Sequence, residues 1–248
     1  EHTIALVGNP NCGKTTLFNA LTGSRQRVGN WPGVTVEKKC GEYRHDGRHF
    51  EVVDLPGTYS LDVVDREVSL DESVARDFVH GNEAGLVVNI VDAANLERNL
   101  YLTSQLVEMR VPLLVVLNMV DVAEAKGLRI DADELSRRLG CPVIPVVASE
   151  GRGVDALKSA IRGAVQARQP ASATVDYQPA LERAIETLVP LLGEPARAAG
   201  TSARWLAVRV LEGDDLARRA AGPAVAAEAE RLGAGLDDDL DIMVADAR

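Results

Sequence analysis

The segment Gly8-Asn9-Pro10-Asn11-Cys12-Gly13-Lys14-Thr15 constrains this chain more than any other. It follows an apolar run, Thr3–Val7, and opens a stretch of helical spacing, Lys14–Thr22. The pattern G-x-x-x-x-G-K-[ST] between a strand and a helix is a phosphate-binding loop. Its glycines let backbone N–H groups turn inward around phosphates, and the helix N-terminus adds a field that favours an anion. In such a loop Lys14 reaches the β and γ phosphates, and the Thr15 hydroxyl, with Thr16 beside it, faces a bound Mg2+. The alternative, a glycine-rich turn that binds nothing, is disfavoured by four correct positions in the right strand-to-helix context.

A loop of this kind needs a sheet behind it. Strand candidates are Thr3–Val7, Glu37–Tyr43, Arg48–Asp54, Gly85–Asp92, Pro112–Asn118 and Pro142–Val147. Several are unbroken Val/Ile/Leu runs, as expected of strands buried on both faces. Helix candidates at Lys14–Thr22, Asp71–His80, Leu96–Met109, Asp131–Leu139 and Val154–Ala167 alternate with them. The alternation predicts a doubly wound α/β fold with a mostly parallel, six-stranded sheet. Asp46-Gly47 favours a tight hairpin and makes the two strands around it antiparallel. After Gln169-Pro170 the pattern changes. Residues 171–248 hold no lysine, eight arginines and fourteen acids, a net of −6. Leu181, Ile185, Leu188 and Leu192 recur at helical spacing, as do Trp205, Val208 and Leu211, and then Val225, Ala229 and Leu232. Gly193, Gly200, Gly213, Gly222 and Gly233–Gly235 read as helix stops. The expected organisation is therefore an α/β domain over residues 1–169 and a small all-helical domain of four or five short helices over 170–248.

Charge and cysteine usage narrow the class. A net charge of −10 argues against a nucleic-acid binder. Three cysteines without a C-x-x-C pair fit a reducing, cytosolic setting better than a disulfide framework. The longest apolar runs, such as Val111–Val120, fall short of the ~18 residues that a membrane span requires. No leader pattern precedes the first strand, and a start on Glu1 is expected of a trimmed chain, so the lack of a span within it is silent about the full-length protein.

Three further segments bear on the ligand. Asn118-Met119-Val120-Asp121 ends an apolar strand. A carboxylate there accepts from both N1–H and the exocyclic amine of guanine, whereas adenine offers an acceptor at N1 and leaves Asp121 unpaired. Asn118 would brace the loop and reach the N7 edge of the purine. Taken alone, the same residues also read as a helix cap. Ala148-Ser149, past the next strand, would close over the base, with the Ala148 amide toward the guanine carbonyl. Asp54-Leu55-Pro56-Gly57 ends the third strand: Asp54 would hold Mg2+ through water, and the Gly57 amide would contact the γ-phosphate. Val34 and Thr35 lie in the polar loop Arg25–Val36, where Thr35 is a second Mg2+-ligating hydroxyl or an ordinary loop threonine. The four elements arrive in the order and spacing of a Ras-like GTPase, with release of the loop after Gly57 as the switch.

The stretches GNPNCGKTTLFNALTG (Gly8–Gly23), VGNWPGVTVEKKCGEY (Val28–Tyr43), VVDLPGTYSL (Val52–Leu61) and VLNMVD (Val116–Asp121) resemble the TrmE-Era-EngA-like GTPases. More closely, they are similar to the cytoplasmic N-terminal region of the bacterial ferrous iron transport protein B family, FeoB. Asn30–Glu37 (NWPGVTVE) and Met119, where other Ras-like proteins usually place Lys, carry the closer resemblance. It is dense over residues 3–169. Over 171–248 it rests on helical composition alone, where the family has a helical domain described as inhibiting nucleotide dissociation.

The resemblance implies GTP hydrolysis with Mg2+, coupled to an Fe2+ permease that lies C-terminal to this chain, at the cytoplasmic face of the bacterial inner membrane. As partners it implies GTP and GDP, small Feo accessory proteins and an oligomer, but no nucleic acid. It also implies K+ stimulation, with the Asn11 amide oxygen and the carbonyls of Gly29 and Trp31 as ligands; alternatively, Asn11 only satisfies backbone groups of the loop. Lys14, Thr35, Asn11 and Gly57 are then the catalytic set. Thr58 follows Asp-x-x-Gly where many relatives carry a water-orienting glutamine, so slow intrinsic hydrolysis is expected. Glu67, Asp71 and Glu72 could position water, although a solvated loop and an acid-rich helix start explain them as well. His2, His45, His49 and His80 lack metal-ligand spacing. Cys12 is either a small loop residue or an oxidation sensor, Trp31 a packing residue or a partner contact, and Asp237–Asp241 an acidic helix start rather than an ion site. Two other functions stay open at this point: a nucleotide-dependent regulatory switch with little hydrolysis, and a ribosome- or tRNA-associated GTPase, which the acidic, lysine-free tail disfavours.

Overall fold

The phosphate loop sits where the sheet changes direction of winding. The computed structural model describes residues 2–23, 25–61, 70–81, 84–236 and 240–247. Within them, β1 (His2–Gly8) lies mid-sheet in the order β2-β3-β4-β1-β5-β6-β7. Here β2 is Gln26–Asn30, β3 Glu37–His45, β4 Arg48–Asp54, β5 Leu86–Asp92, β6 Leu113–Asn118 and β7 Val143–Pro145. β1 pairs in parallel with β4 on one side and β5 on the other, and β6 and β7 continue in parallel. The β3–β4 pair is antiparallel about Asp46 and Gly47, whose φ values of 46° and 75° are those of a tight hairpin turn.

The sheet has seven strands rather than the six predicted. Gln26-Arg27-Val28-Gly29-Asn30 is exposed at every position and pairs antiparallel to β3 as an edge. An edge strand that buries neither face carries no alternation of polar and apolar residues, so it is indistinguishable from a polar loop by pattern.

Helices α1 (Lys14–Thr22), α2 (Leu70–His80), α3 (Leu96–Met109), α4 (Val120–Ala125), α5 (Ala132–Leu139) and α6 (Val154–Ala167) complete this part. Leu17 and Phe18 of α1 and Leu157, Ile161 and Val165 of α6 pack on Ile4, Leu6, Val88, Leu114 and Val116 of the sheet in one apolar cluster. Its strands are the unbroken apolar runs seen in the sequence. At ~25 cal/mol per Å2 such burial dominates the stability of the sheet.

The chain divides into two compact units: the first runs to Ala173 but leaves out Glu108–Arg110 at the end of α3, and the second joins those residues to Thr174 and the chain that follows. The second contains six α-helices among the described residues, α7 (Pro179–Leu188), α8 (Gly193–Ala198), α9 (Ala203–Leu211), α10 (Asp215–Ala221), α11 (Pro223–Gly233) and α12 (Leu240–Ala247), one or two more than predicted. Gly193 opens α8 rather than stopping a helix, so a single break in the periodicity conceals two short elements. Capping explains the boundaries. Ser202 accepts from the Trp205 amide at 3.0 Å, Asp214 accepts from the Leu216 and Ala217 amides, and Pro179 and Pro223 begin α7 and α11. Leu181, Ile185, Leu188 and Leu192 are all fully buried and meet Leu206, Val208 and Val210 in a separate apolar core. Among the described residues, no helix is long and apolar enough to cross a membrane.

Candidate nucleotide site

Asn118, at the end of β6, is the centre of the site. It is buried, its Nδ2 donates to the Cys12 carbonyl at 2.9 Å, and its Oδ1 accepts from the Ala148 amide at 3.1 Å. One side chain thus ties the phosphate loop to the turn after β7. The bracing role expected of Asn118 is what these bonds do. The Ala148 amide, expected to face a base carbonyl, is engaged by Asn118, while the following residue, Ser149, is exposed. Met119 takes a left-handed φ of 61° and turns the chain into α4, so that Asp121 falls in the first turn of that helix.

The loop between β1 and α1 is shaped by two close approaches. Gly13 has a φ of 87°, and a Cβ there would lie 2.2 Å from Asn118 Nδ2. At Gly8 a Cβ would meet Cys12 Sγ at 2.6 Å and the Ile90 carbonyl at 2.7 Å. Both positions therefore exclude any side chain. The loop borders a cavity of about 550 Å3 lined by Asn9–Asn11, Gly13–Thr16, Gly57 and Met119. Asn11, in a left-handed conformation with a φ of 67°, is exposed there.

Lys14 and Asp54 form a buried ion pair. Burial holds the Asp54 carboxyl above its ordinary range, and the Lys14 ammonium only partly offsets this. Lys14, the partner of this buried carboxylate, lines the cavity together with the exposed Thr15, and a carboxylate and a hydroxyl are oxygen donors of the kind a hydrated Mg2+ takes. The Mg2+ assignment to Thr15 and Asp54 therefore fits the residues present. Thr35 is exposed in the turn between β2 and β3, and neither it nor Val34, Gly29 or Trp31 lines the cavity. Gly29 is paired in β2, and the Trp31 carbonyl accepts from the Val34 amide at 3.3 Å. Of the three residues assigned to K+, only Asn11 is at the cavity.

Trp31 itself is buried, edge-on to Phe78 of α2 with ring centroids 5.3 Å apart, and the Lys38 ammonium lies 4.5 Å from its ring centre. It packs within this unit. Thr58 is buried, and its hydroxyl donates to the Ser60 carbonyl at 2.5 Å. Asp71 and Glu72 fall in the first turn of α2, while Glu67 and Asp237–Asp239 lie outside the described residues. Among the described residues, no group of three His, Cys, Asp or Glu side chains could hold a metal ion.

Cys12 is buried, and its thiol is pushed up to about 11 by that burial, against the opposing influence of Lys14. Its thiolate is therefore scarce near neutral pH. Iodoacetamide at pH 7.5 should leave nucleotide binding intact, and peptide mass spectrometry should find Cys12 unlabelled until denaturant is added. Labelling of native Cys12 at the rate of a free thiol would contradict this.

The pattern alone did not point to α3. Asn9 Nδ2 donates to the Arg98 carbonyl at 3.4 Å, and Thr103 Oγ1 donates to Asn89 Oδ1 of β5 at 2.6 Å. Gln105, fully buried, accepts from the Leu61 amide at 2.8 Å. The available signal was the polar trio Asn99, Thr103 and Gln105 set among Leu102 and Leu106, since polar residues spaced through a core-facing stripe need internal partners.

Residues 2–161 match the model of the family described as ferrous iron transport protein B, and residues 177–248 match that of the FeoB cytosolic helical domain. A curated relative, the Fe(2+) transporter FeoB of Escherichia coli K12, is 49% identical over 253 residues, covering 99% of this chain. The chain spans 32% of that relative's length. The solved cytosolic domain of L. pneumophila FeoB superposes with a TM-score of 0.85 at 40% identity, covering 99% of this chain and 94% of that one. The cytosolic domain of the T. maritima FeoB iron transporter in its GMPPNP form gives 0.83 at 34% identity, covering 100% and 94%.

Proposed function

Because this chain belongs to the ferrous iron transport protein B family, we propose that it is the GTP-binding and GTP-hydrolysing part of a ferrous iron transporter. Residues 1–169 form the GTPase domain, and 170–248 a helical domain that slows GDP release. The rest of the transporter is a permease that follows in sequence, holding this part at the cytoplasmic membrane face. The observation that carries the reading is Asn118, joined to both Cys12 and Ala148. It joins the loop that borders the cavity to the turn after β7, the segment we assign to the base.

The roles follow from the chemistry of each group. Loop amides and Lys14 bind the phosphates, and the Gly57 amide senses the third. Asp121 selects guanine, while the Ala148–Ser149 turn closes over the base. Thr15 and Asp54 would hold Mg2+, and Thr35 would join them if the segment between β2 and β3 folded inward. Bound Mg2+ supplies charge neutralisation between the β and γ oxygens. Asn11 would hold K+, which would add positive charge beside the phosphates, and the carbonyls of Gly29 and Trp31 would complete its coordination if the β2–β3 segment rearranged. With the Thr58 hydroxyl engaged by Ser60, the side chain that directly follows Gly57 does not take the place of a water-orienting glutamine, which makes the unaided reaction slow.

That same Thr58 geometry favours a second reading, a regulatory switch in which hydrolysis only resets the state. Single-turnover hydrolysis in K+ against Na+ separates the two. The enzyme reading expects K+ to accelerate turnover by about tenfold or more, within the range of charge stabilisation at such sites, and expects Asn11→Ala to abolish the difference between the two salts. Equal, very slow rates in both salts would favour the switch.

A further inference from the structure

The loop that must respond to the third phosphate is already anchored at its far end. The segment leaves β4 at Asp54 and touches the P-loop strand twice, with the Leu55 amide donating to the Leu6 carbonyl at 3.1 Å and the Thr58 amide to the Gly8 carbonyl at 3.2 Å. Gly57 lies against Pro10, where a Cβ would stand 3.5 Å from the proline ring. Beyond it, three contacts fasten the chain to α3. Gln105 Oε1 accepts from the Leu61 amide at 2.8 Å, Gln105 Nε2 donates to Ser60 Oγ at 3.0 Å, and the Arg98 guanidinium stacks 4.3 Å from the centre of the Tyr59 ring. Gln105 is fully buried and Leu61 nearly so.

We propose that Gln105 is a positioning residue for third-phosphate recognition, its amide fixing where the segment after Gly57 leaves the site. A backbone held at Thr58 on one side and at Ser60–Leu61 on the other has little freedom at Gly57. The Gly57 amide is thereby aimed at the cavity before a ligand arrives, and its ordering is not charged against binding energy. Without the Gln105 amide the Leu61 N–H is left buried and unpaired, and the segment gains conformations in which Gly57 faces elsewhere. GDP, which makes no use of the Gly57 amide, is indifferent to the change. This inference rests on the nucleotide-site reading above.

The test compares affinities for GDP and for a non-hydrolysable GTP analogue in the 248-residue chain, with thermal unfolding recorded alongside. Gln105→Met keeps the volume and removes the hydrogen bonds to Leu61 and Ser60. The analogue should bind about tenfold more weakly, the equivalent of roughly one buried hydrogen-bond defect, with GDP affinity within about twofold of wild type. Gln105→Glu keeps an acceptor for the Leu61 amide and lets the Ser60 hydroxyl donate, so it should recover most of the loss. Equal weakening for both nucleotides, or an unchanged ratio, overturns the proposal. Should Gln105→Met fail to fold, Ser60→Ala removes one of the two bonds and should shift the ratio by about threefold in the same direction; no shift overturns the proposal. A wild-type chain that binds neither nucleotide sinks the site reading itself, whereas a wild type that distinguishes them beside an unaffected Gln105→Met sinks only the role of Gln105.

Discussion

Asp121→Asn should exchange guanine preference for xanthine preference, lowering GTP affinity by about three orders of magnitude while XTP affinity rises above that of GTP. A carboxylate accepts from N1–H and from the exocyclic amine of guanine. An asparagine at the same point turns one acceptor into a donor, which meets the guanine amine donor to donor. Xanthine carries a carbonyl at that position and restores the match. The size of the effect follows from the cost of leaving a polar group unpaired in a site built to pair it, which reaches ~10^4–10^5 in discrimination. The substitution should cost little stability, because Asp121 lies in the first turn of the short α4 and is only half-buried. Competition titrations with GTP, XTP and ATP would decide the matter. A variant that still prefers GTP would falsify the base assignment.

Lys14→Ala should reduce affinity for both GDP and the GTP analogue by at least about a hundredfold, in line with the loss of charge-assisted bonds to phosphate. A second effect separates this variant from simple loss of a cation. Asp54 is buried, its carboxyl already stands above the ordinary range, and Lys14, with a smaller contribution from Lys39, opposes the shift. Removing Lys14 raises that carboxyl further. Since the ionised carboxylate is the form suited to hydrated Mg2+, metal-dependent binding is present above the folded-state value and lost as the pH falls through it. In Lys14→Ala this loss should begin at a higher pH than in wild type. The sign for stability is opposite: a raised carboxyl weakens the empty fold as the pH rises through its titration, so the empty variant should gain stability on mild acidification. Nucleotide titrations and thermal melts across pH 5–8, with and without Mg2+, measure both slopes. A variant with wild-type affinity, or with no change in either slope, would remove Lys14 and Asp54 from the roles given them.

How far the fold was legible depended on burial. β1, β5 and β6 are continuous apolar runs because both their faces are covered, and they emerged within a residue or two of their observed bounds. β2 has neither face covered, so Gln26–Asn30 left no periodic trace, and the sheet came out one strand short. The helical part was counted low because Gly193 starts a helix immediately after Leu192, where a glycine more often ends one. In the site, the residues legible in sequence are those whose neighbours in space are also neighbours in the chain: Gly8–Thr16, Asp54–Gly57 and Asn118–Asp121. Asn118 was legible through its spacing from Asp121, not through its bonds to Cys12 and Ala148, which span 106 and 30 residues. Gln105 reaches Leu61 across 44 residues through a single amide, and no local pattern encodes such a bond. The segment carrying Thr35 reads as a polar loop, and the exposed position of Thr35 just past the Trp31–Val34 turn, outside the cavity lining, depends on pairing with β3 that only the folded sheet reveals.

The two bonds of Asn118 carry a lesson for anyone wishing to transplant specificity between proteins of this kind. Because one amide group joins the P-loop to the turn after β7, the two segments cannot be exchanged as independent cassettes. A grafted loop after β7 would arrive with its own preferred distance from the strand that bears Asn118. Any mismatch would be transmitted directly to the opposite half through a rigid three-atom strut. Successful chimeras should therefore be those that move Cys12, Asn118 and Ala148 together, as a single inherited unit.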